Sequence, residues 1–127
     1  MDNKTKFTYS QVKYMINLYR ISRLEQGVKN TELAAALGFT KPSVHNMLKS
    51  LIELGVVMQE SFGLAHLTDL GRSLAVKYEC CYRYIHGKLS DICGEGAVSE
   101  NAICGLLADM PGERVVELYC KIKVRGL

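Results

Sequence analysis

The chain lacks any long apolar run, and its first residues lack the apolar core of a secretory signal. No stretch of its 127 residues approaches the roughly 20 uninterrupted apolar residues that a membrane-spanning helix needs. The opening, MDNKTKFTYSQ, is polar where a signal peptide would be hydrophobic. With 48% hydrophobic and 23% charged residues, the composition is that of an ordinary globular protein. We therefore expect a cytoplasmic protein with no membrane partner.

Signatures of catalysis and of common metal sites are also missing. The chain has no C-x-x-C pair, no H-E-x-x-H motif, no glycine-rich phosphate loop and no nucleophile–base pair. Its five cysteines all lie in the second half, and an odd number without a secretory signal argues against a disulfide scaffold. These absences predict that the protein is not an enzyme.

The excess positive charge lies in the first part of the chain. Residues 1–72 carry nine Lys or Arg against six Asp or Glu, whereas residues 73–127 carry seven of each. The first part would therefore attract a polyanion, because phosphates favour such a surface and release counterions on binding. A solvated surface with a slight basic excess explains the same charges equally well, so charge alone does not decide the function.

Hydrophobic spacing predicts two helices before residue 40. The first covers residues 10–26, and Gly27 is expected to end it in a left-handed conformation. The second begins at a Thr31 cap and stops at Gly38.

A third helix, a hairpin and three further helices are predicted after that point. Thr40 caps the third helix, Pro42 lies in its first turn and Gly55 follows its end. Its apolar stripe is expected to comprise Val44, Leu48, Leu51 and Ile52. Residues 56–60 and 64–67 read as the strands of the hairpin, and further helices cover about residues 68–89 and 99–108. A break is expected at residues 110–112, followed by a final helix that runs to about residue 123. The fold class is mostly α with a small β-hairpin: a winged helix-turn-helix followed by a helical dimerisation region.

The third helix carries the functional prediction. In a helix-turn-helix the second helix of the pair enters the major groove, and its N-terminal residues contact bases and phosphates. We predict that double-stranded DNA is bound by Thr40, Lys41, Pro42, Ser43, His45, Asn46 and Lys49. Asn46 suits an adenine edge and Lys49 suits a phosphate. Taken singly, each residue has a plainer explanation as a cap or a surface residue, so the ordered combination carries the prediction.

The hairpin is the wing of this arrangement. Its tip, Ser61-Phe62-Gly63, has no basic residue, and Phe62 is expected to pack on the domain. His66 lies among apolar residues, and we expect it to be a hydrogen-bonded structural histidine and not a ligand.

Three motifs carry a resemblance to a known family. They are K-P-S-V-x-x-M-L-K-x-L at 41–51, L-G-V-V at 54–57 and L-T-x-x-G-R at 67–72. The chain resembles the metal-dependent repressors of the diphtheria toxin repressor and manganese transport regulator type over roughly residues 10–90. The resemblance implies a homodimer that binds a palindromic operator and represses metal-homeostasis genes. It also implies that Thr40, Pro42, Ser43 and Asn46 occupy DNA-contacting positions.

The same resemblance puts the family's Fe²⁺ or Mn²⁺ cofactor in doubt. The ligand positions correspond to Lys13, Ile16, Tyr82, Leu107 and Ala108, and only Cys104 matches a family ligand. One thiol beside these residues does not supply the converging donors that a transition metal needs. We therefore predict that the usual metal site is absent. A displaced site using Cys80, Cys81, His86 and Cys104 remains an alternative.

The expected organisation is a winged helix-turn-helix DNA-binding domain over 1–72 and a helical dimerisation domain over 73–127. The dimer is expected to bury apolar residues of the last helices, namely Val98, Ile103, Leu106, Leu107, Val115, Val116 and Leu118. Two alternatives stand beside a DNA-binding repressor. One is a regulator of the same fold that senses redox state or another ligand through its cysteines, and the other is a winged-helix module for protein–protein contact.

Overall fold

The computed structural model describes residues 6–22, 27–60 and 63–126. In chain order its elements are α1 (Tyr9–Ile21), α2 (Asn30–Leu37), α3 (Lys41–Glu53), β1 (Val57–Gln59), β2 (Ala65–Leu67), α4 (Asp69–Cys93), α5 (Glu100–Asp109) and α6 (Gly112–Arg125). The predicted fold class is confirmed, with a two-stranded hairpin after three helices. No helix within the described ranges is both long and apolar enough to cross a lipid bilayer.

The chain divides into two units. The helix-turn-helix unit is Tyr14–Ala75, and the helical unit contains the residues up to Lys13 together with those from Val76 onward. Helices α1 and α4 each contribute residues to both units. The domain prediction had assigned the first thirteen residues to the helix-turn-helix domain.

The turn between α2 and α3 follows from two residues that the sequence analysis singled out. Gly38 has a φ of 72°, and its N–H donates to the Ala34 carbonyl at 2.9 Å. A left-handed glycine of this kind satisfies a carbonyl at the helix end. Thr40 then has an extended backbone, and its hydroxyl oxygen accepts a hydrogen bond from the Ser43 N–H at 3.3 Å. Both predicted end residues are confirmed.

The start of α2 differs from the prediction. Its N-cap residue is Lys29, which makes no side-chain capping bond, and Thr31 is already inside the helix. The predicted Thr31 cap is therefore wrong. The helix begins at Asn30, and its N-cap lies two residues before Thr31, because Lys29 has the extended backbone of an N-cap and its carbonyl accepts the first helical bond, from Leu33.

Gly27 also differs from its predicted role. Helix α1 ends at Ile21, and Gly27 has no left-handed φ. A Cβ at Gly27 would lie 2.6 Å from the Leu64 Cβ and 2.8 Å from the His66 Nε2, closer than side chains approach. Glycine is therefore required where the chain passes the hairpin. The rest of the predicted first helix, residues 23–26, lies outside the described residues.

The wing is a short antiparallel sheet. Val57 pairs with Leu67, Met58 with His66 and Gln59 with Ala65, so each strand is shorter than predicted. Val28 adds an isolated bridge, since it exchanges two backbone hydrogen bonds of 2.9 Å with Ala65.

One junction joins the end of α3, the wing and the start of α4. The Thr68 hydroxyl donates to the Gly55 carbonyl at 2.7 Å and accepts from the Gly71 N–H at 3.0 Å. The Thr68 N–H donates to the Val56 carbonyl at 3.1 Å. Gly71 packs so closely on the same carbonyl that an added Cβ would lie 1.9 Å from the Val56 oxygen.

The helical unit has its own buried residues. The Phe7 ring meets Tyr78 of α4 edge-on, with centroids 6.0 Å apart, and burial raises the pKa of Tyr78 to about 12. The Lys13 Nζ donates to the Asn101 Oδ1 of α5 at 2.9 Å. Other buried side chains of this unit are Cys81, Ile103, Cys104, Leu107, Val115 and Ile122. Of the residues predicted to form a dimer contact, Ile103, Leu107 and Val115 are thus buried within the protomer.

The contact at Gly71 predicts a large effect of a small substitution. Gly71→Ala forces backbone atoms apart, and we expect it to lower the free energy of unfolding by about 1–3 kcal/mol or more. The matched control is Gly105→Ala in α5, where a Cβ would meet nothing within 4 Å. Because alanine is the better helix former, this control should raise the free energy of unfolding by roughly 0.5–1 kcal/mol. Urea unfolding measures both, and equal effects would contradict the packing at Val56.

Candidate nucleic-acid interface

The inner face of α3 is anchored by three apolar side chains. Val44, Leu48 and Leu51 follow the i, i+4, i+7 spacing and are 0%, 1% and 0% exposed. Ile52, predicted to belong to this stripe, is 39% exposed, so that part of the prediction is wrong. The reason is geometric: a helix turns about 100° per residue, which carries Ile52 to the edge of the stripe.

The opposite face of α3 is polar and accessible. Pro42, Asn46 and Lys49 repeat the i, i+4, i+7 spacing on the side away from the buried stripe, and all three are exposed. The complete set of predicted DNA-binding residues is exposed, comprising Thr40, Lys41, Pro42, Ser43, His45, Asn46 and Lys49. The fold therefore brings all seven to the accessible sides and N-terminal end of one helix.

The N-terminus of α3 has donors for an anion. The Thr40 hydroxyl donates to the Ser43 Oγ at 3.0 Å, which leaves the Ser43 hydroxyl proton as the outward donor of the pair. The first turn of α3 contains no acidic residue, so the amides at this end face no competing carboxylate on their own helix. An end of this kind attracts a phosphate through its exposed N–H groups and the helix dipole.

Three exposed residues of the helix-turn-helix unit are missing from the predicted DNA-binding set. Phe39 stacks on buried Tyr14, with centroids 5.9 Å apart and ring planes 7° from parallel, and so supports the turn before α3. Lys29 is exposed beside the start of α2 and adds a positive charge. Glu53 continues the outer row of α3 with a negative charge at its far end. The same helical spacing that located Asn46 would have located Glu53.

The wing brings no fixed positive charge to this surface. Residues 56–67 contain neither Lys nor Arg. His66 Nε2 lies 2.7 Å from the Glu60 Oε1, so the histidine has the hydrogen-bond partner expected of a structural residue. Phe62, predicted to pack on the domain, lies outside the described residues.

The cysteines differ strongly in their surroundings. Cys81 and Cys104 are buried, Cys80 is partly buried, and Cys93 and Cys120 are exposed. Burial, and secondarily the neighbouring Cys80, raises the pKa of the Cys81 thiol to about 12. Within residues 6–22, 27–60 and 63–126, no three His, Cys, Asp or Glu side chains converge as a metal site requires. The alternative site at Cys80, Cys81, His86 and Cys104 is therefore not formed in this structure.

These features define the helix-turn-helix unit as a winged helix-turn-helix. Residues 18–61 match the family model described as the IclR helix-turn-helix domain, about a third of the chain. No curated protein sequence matches the chain.

Solved structures share the fold over most of the chain. The manganese regulator SloR is 21% identical, with a TM-score of 0.64, over 85% of this chain and 52% of its own. IdeR from T. acidophilum is 18% identical, with a TM-score of 0.64, over 91% of this chain and 54% of its own. A hypothetical protein from Sulfolobus solfataricus is 20% identical, with a TM-score of 0.60, over 91% of this chain and 89% of its own. The chain thus spans about half the length of the first two.

The positions that correspond to metal ligands in the resembling family do not fit a metal here. Ile16 and Leu107 are both 0% exposed and have no donor atom. The Lys13 ammonium already donates to the Asn101 Oδ1. Cys104 is a potential ligand but is itself 0% exposed. Divalent iron or manganese needs several oxygen, nitrogen or sulfur donors at one point, and these side chains do not supply them.

The cysteine environments predict selective alkylation. At about pH 8 an alkylating reagent should modify Cys93 and Cys120 quickly and spare Cys81 until the protein is unfolded. A raised pKa lowers the thiolate fraction of Cys81 at any pH below it, and burial blocks the reagent. Peptide mass spectrometry gives the rate at each site. Modification of Cys81 in the folded protein as fast as Cys120 would instead favour a thiol-based sensor.

Proposed function

We propose that the protein is a DNA-binding transcriptional repressor that reads duplex DNA with α3. The proposal rests on one observation: α3 has a buried apolar side and an exposed row on the opposite side. Its buried side holds Val44, Leu48 and Leu51, while its opposite row presents Pro42, Asn46 and Lys49. The match of residues 18–61 to a helix-turn-helix domain supports the same role.

Each exposed residue has a chemical role in this proposal. Asn46 lies on the outermost row and can pair with an adenine edge through its amide. Ser43 and the amides at the start of α3 bind a phosphate, and Lys41 and Lys49 neutralise neighbouring phosphates. Pro42 at the N-terminal end of the row and His45 beside the row contact the groove wall. Glu53 lies at the far end of the helix, where its charge does the least harm to DNA binding.

The proposed protein acts as a homodimer on a palindromic operator. Two recognition helices related by a two-fold axis read two equal half-sites, which suits a helix as short as α3. The residues after 72 are proposed to supply the dimer contact. Of the apolar residues predicted for it, Ile103, Leu107 and Val115 are buried within the protomer, so the predicted set does not by itself define the contact surface.

The proposed repressor works without the Fe²⁺ or Mn²⁺ of the family it resembles. This part of the proposal rests on the apolar or already bonded side chains at Lys13, Ile16 and Leu107. Another signal would then control DNA binding, or binding would be constitutive.

The first prediction separates base reading from phosphate binding. Asn46→Ala should reduce discrimination at one base pair per half-site by roughly 1–3 kcal/mol, because the adenine edge loses its bidentate partner. Lys49→Ala should weaken all duplexes alike and reduce the salt dependence of binding by about one phosphate contact per protomer. Fluorescence anisotropy with a selected operator and its point variants measures both effects.

A matched control is available on the other unit. Lys121→Ala changes the same residue type as Lys49→Ala at an exposed helical position of α6. It should leave DNA affinity and its salt dependence unchanged. If Asn46→Ala leaves base discrimination as unaltered as Lys121→Ala does, α3 does not read base edges, and the protein-interaction module becomes the better description.

The second prediction concerns metal. Operator affinity should be the same, within about twofold, before and after treatment with a strong chelator, since no three donor side chains of the described residues converge as a divalent ion requires. Adding Fe²⁺ or Mn²⁺ afterwards should change nothing. Loss of binding in chelator that either ion restores would show that the protein keeps a metal-dependent switch.

A further inference from the structure

A shallow groove runs along α4 in the helical unit. Its volume is about 510 Å³. One side chain from α6, Ile122, lines its edge. The other lining residues recur at intervals of three and four along α4, and they are Cys80, Arg83, Tyr84, Gly87, Lys88 and Asp91. This spacing makes the groove a single stripe of one helix face.

Gly87, at the middle of the stripe, has no explanation within the chain. It is exposed in the interior of a long helix, where alanine would be more favourable. A Cβ added there would meet nothing within 4 Å among the described residues. At an interface, a glycine allows the backbone of another element to approach closely. The residue is thus suited to a contact with something outside the protomer.

The charges on either side of Gly87 identify that contact. Arg83 precedes it by four residues and Asp91 follows it by four. When two copies of one helix cross antiparallel about a two-fold axis at Gly87, Arg83 of each copy faces Asp91 of the other. A two-fold interface must be self-complementary in this way, because every contact occurs twice with the partners exchanged.

Both charged groups are available for such a contact. The Arg83 side chain is 66% exposed, and its only ion pair in the described structure is a long one of 3.8 Å to Glu79. Asp91 is exposed and makes no ion pair with any described residue. We propose that this α4 stripe is the surface on which a second copy of the chain docks, with two symmetric Arg83–Asp91 pairs around Gly87.

A small-molecule ligand fits this α4 stripe less well than a second copy of the chain does, and the corresponding stripe of α5 fits a second copy less well. A small-molecule site encloses most of its ligand, whereas one helix stripe with a single flanking side chain leaves a ligand largely in solvent. The exposed face of α5 also has a central glycine, Gly105, with open space around it. Symmetric pairing about Gly105 would set Asn101 against Asp109 and provides no opposite charges.

This inference rests on the homodimer of the proposed function and names its surface. The tests measure association of the full chain without DNA, so they can fail while α3 still reads base pairs. Conversely, loss of DNA reading would leave the association data intact.

The first test is charge complementation, measured by sedimentation equilibrium. Arg83→Glu places two pairs of carboxylates together and Asp91→Arg places two pairs of cations together. Each variant alone should therefore dimerise roughly tenfold or more weakly than the parent. An equimolar mixture should regain association, because the heterodimer has two attractive pairs. The double variant should also regain it, whereas a mixture no stronger than either variant alone would overturn the proposal.

The second test uses the two glycines. Gly87→Leu adds bulk at the proposed axis and should give monomers at concentrations where the parent is dimeric. Gly105→Leu is the matched control and should leave the dimer intact. Circular dichroism should show full helix content in both, since a Cβ at either position meets nothing within 4 Å among the described residues. Dissociation by Gly105→Leu but not by Gly87→Leu would move the interface to α5 and refute the α4 surface.

Discussion

The carbonyl group of Val56 and its neighbour Gly55 form the joint on which the helix-turn-helix unit depends. The Val56 N–H donates to the Leu51 carbonyl at the end of α3, and the Val56 oxygen accepts from the Thr68 N–H. Gly71 packs against the same oxygen with no room for a side chain. Since three elements meet at one residue, α3, the wing and the start of α4 cannot shift independently.

The joint at Val56 helps to fix the orientation of the exposed row of α3. Val44, Leu48 and Leu51 hold the helix by its inner side, so the opposite row is presented in one orientation and not in a range of them. At the other end of the helix, Thr40 satisfies a backbone N–H, and Phe39 stacks on Tyr14. A groove-reading helix needs this rigidity, because base contacts specify sequence only when their positions are fixed.

The two units differ in their charged side chains and in the side chains that they bury. The helix-turn-helix unit, Tyr14–Ala75, carries six Lys or Arg against five Asp or Glu, and its wing has no Lys or Arg. On α3 itself the positive charges are those of Lys41 and Lys49. The helical unit buries Cys81 and Cys104, which act there as small apolar residues. Its accessible groups include the Arg83 and Asp91 charges and the bare backbone at Gly87, a combination suited to contact with an identical surface.

The sequence by itself determined the elements whose signals are local. Thr40 and Gly38 act at helix ends as predicted, because a cap needs only a few neighbouring residues. The outer row of α3 followed from the helical period.

Other features depended on residues far apart in the chain, and only the tertiary structure decided them. Gly27 is required by Leu64 and His66, and Gly71 by Val56. Val28 pairs with Ala65, and Ile103, Leu107 and Val115 are buried in the protomer. Packing across such distances leaves no periodic or capping pattern in the sequence, since it depends on which elements meet and how closely.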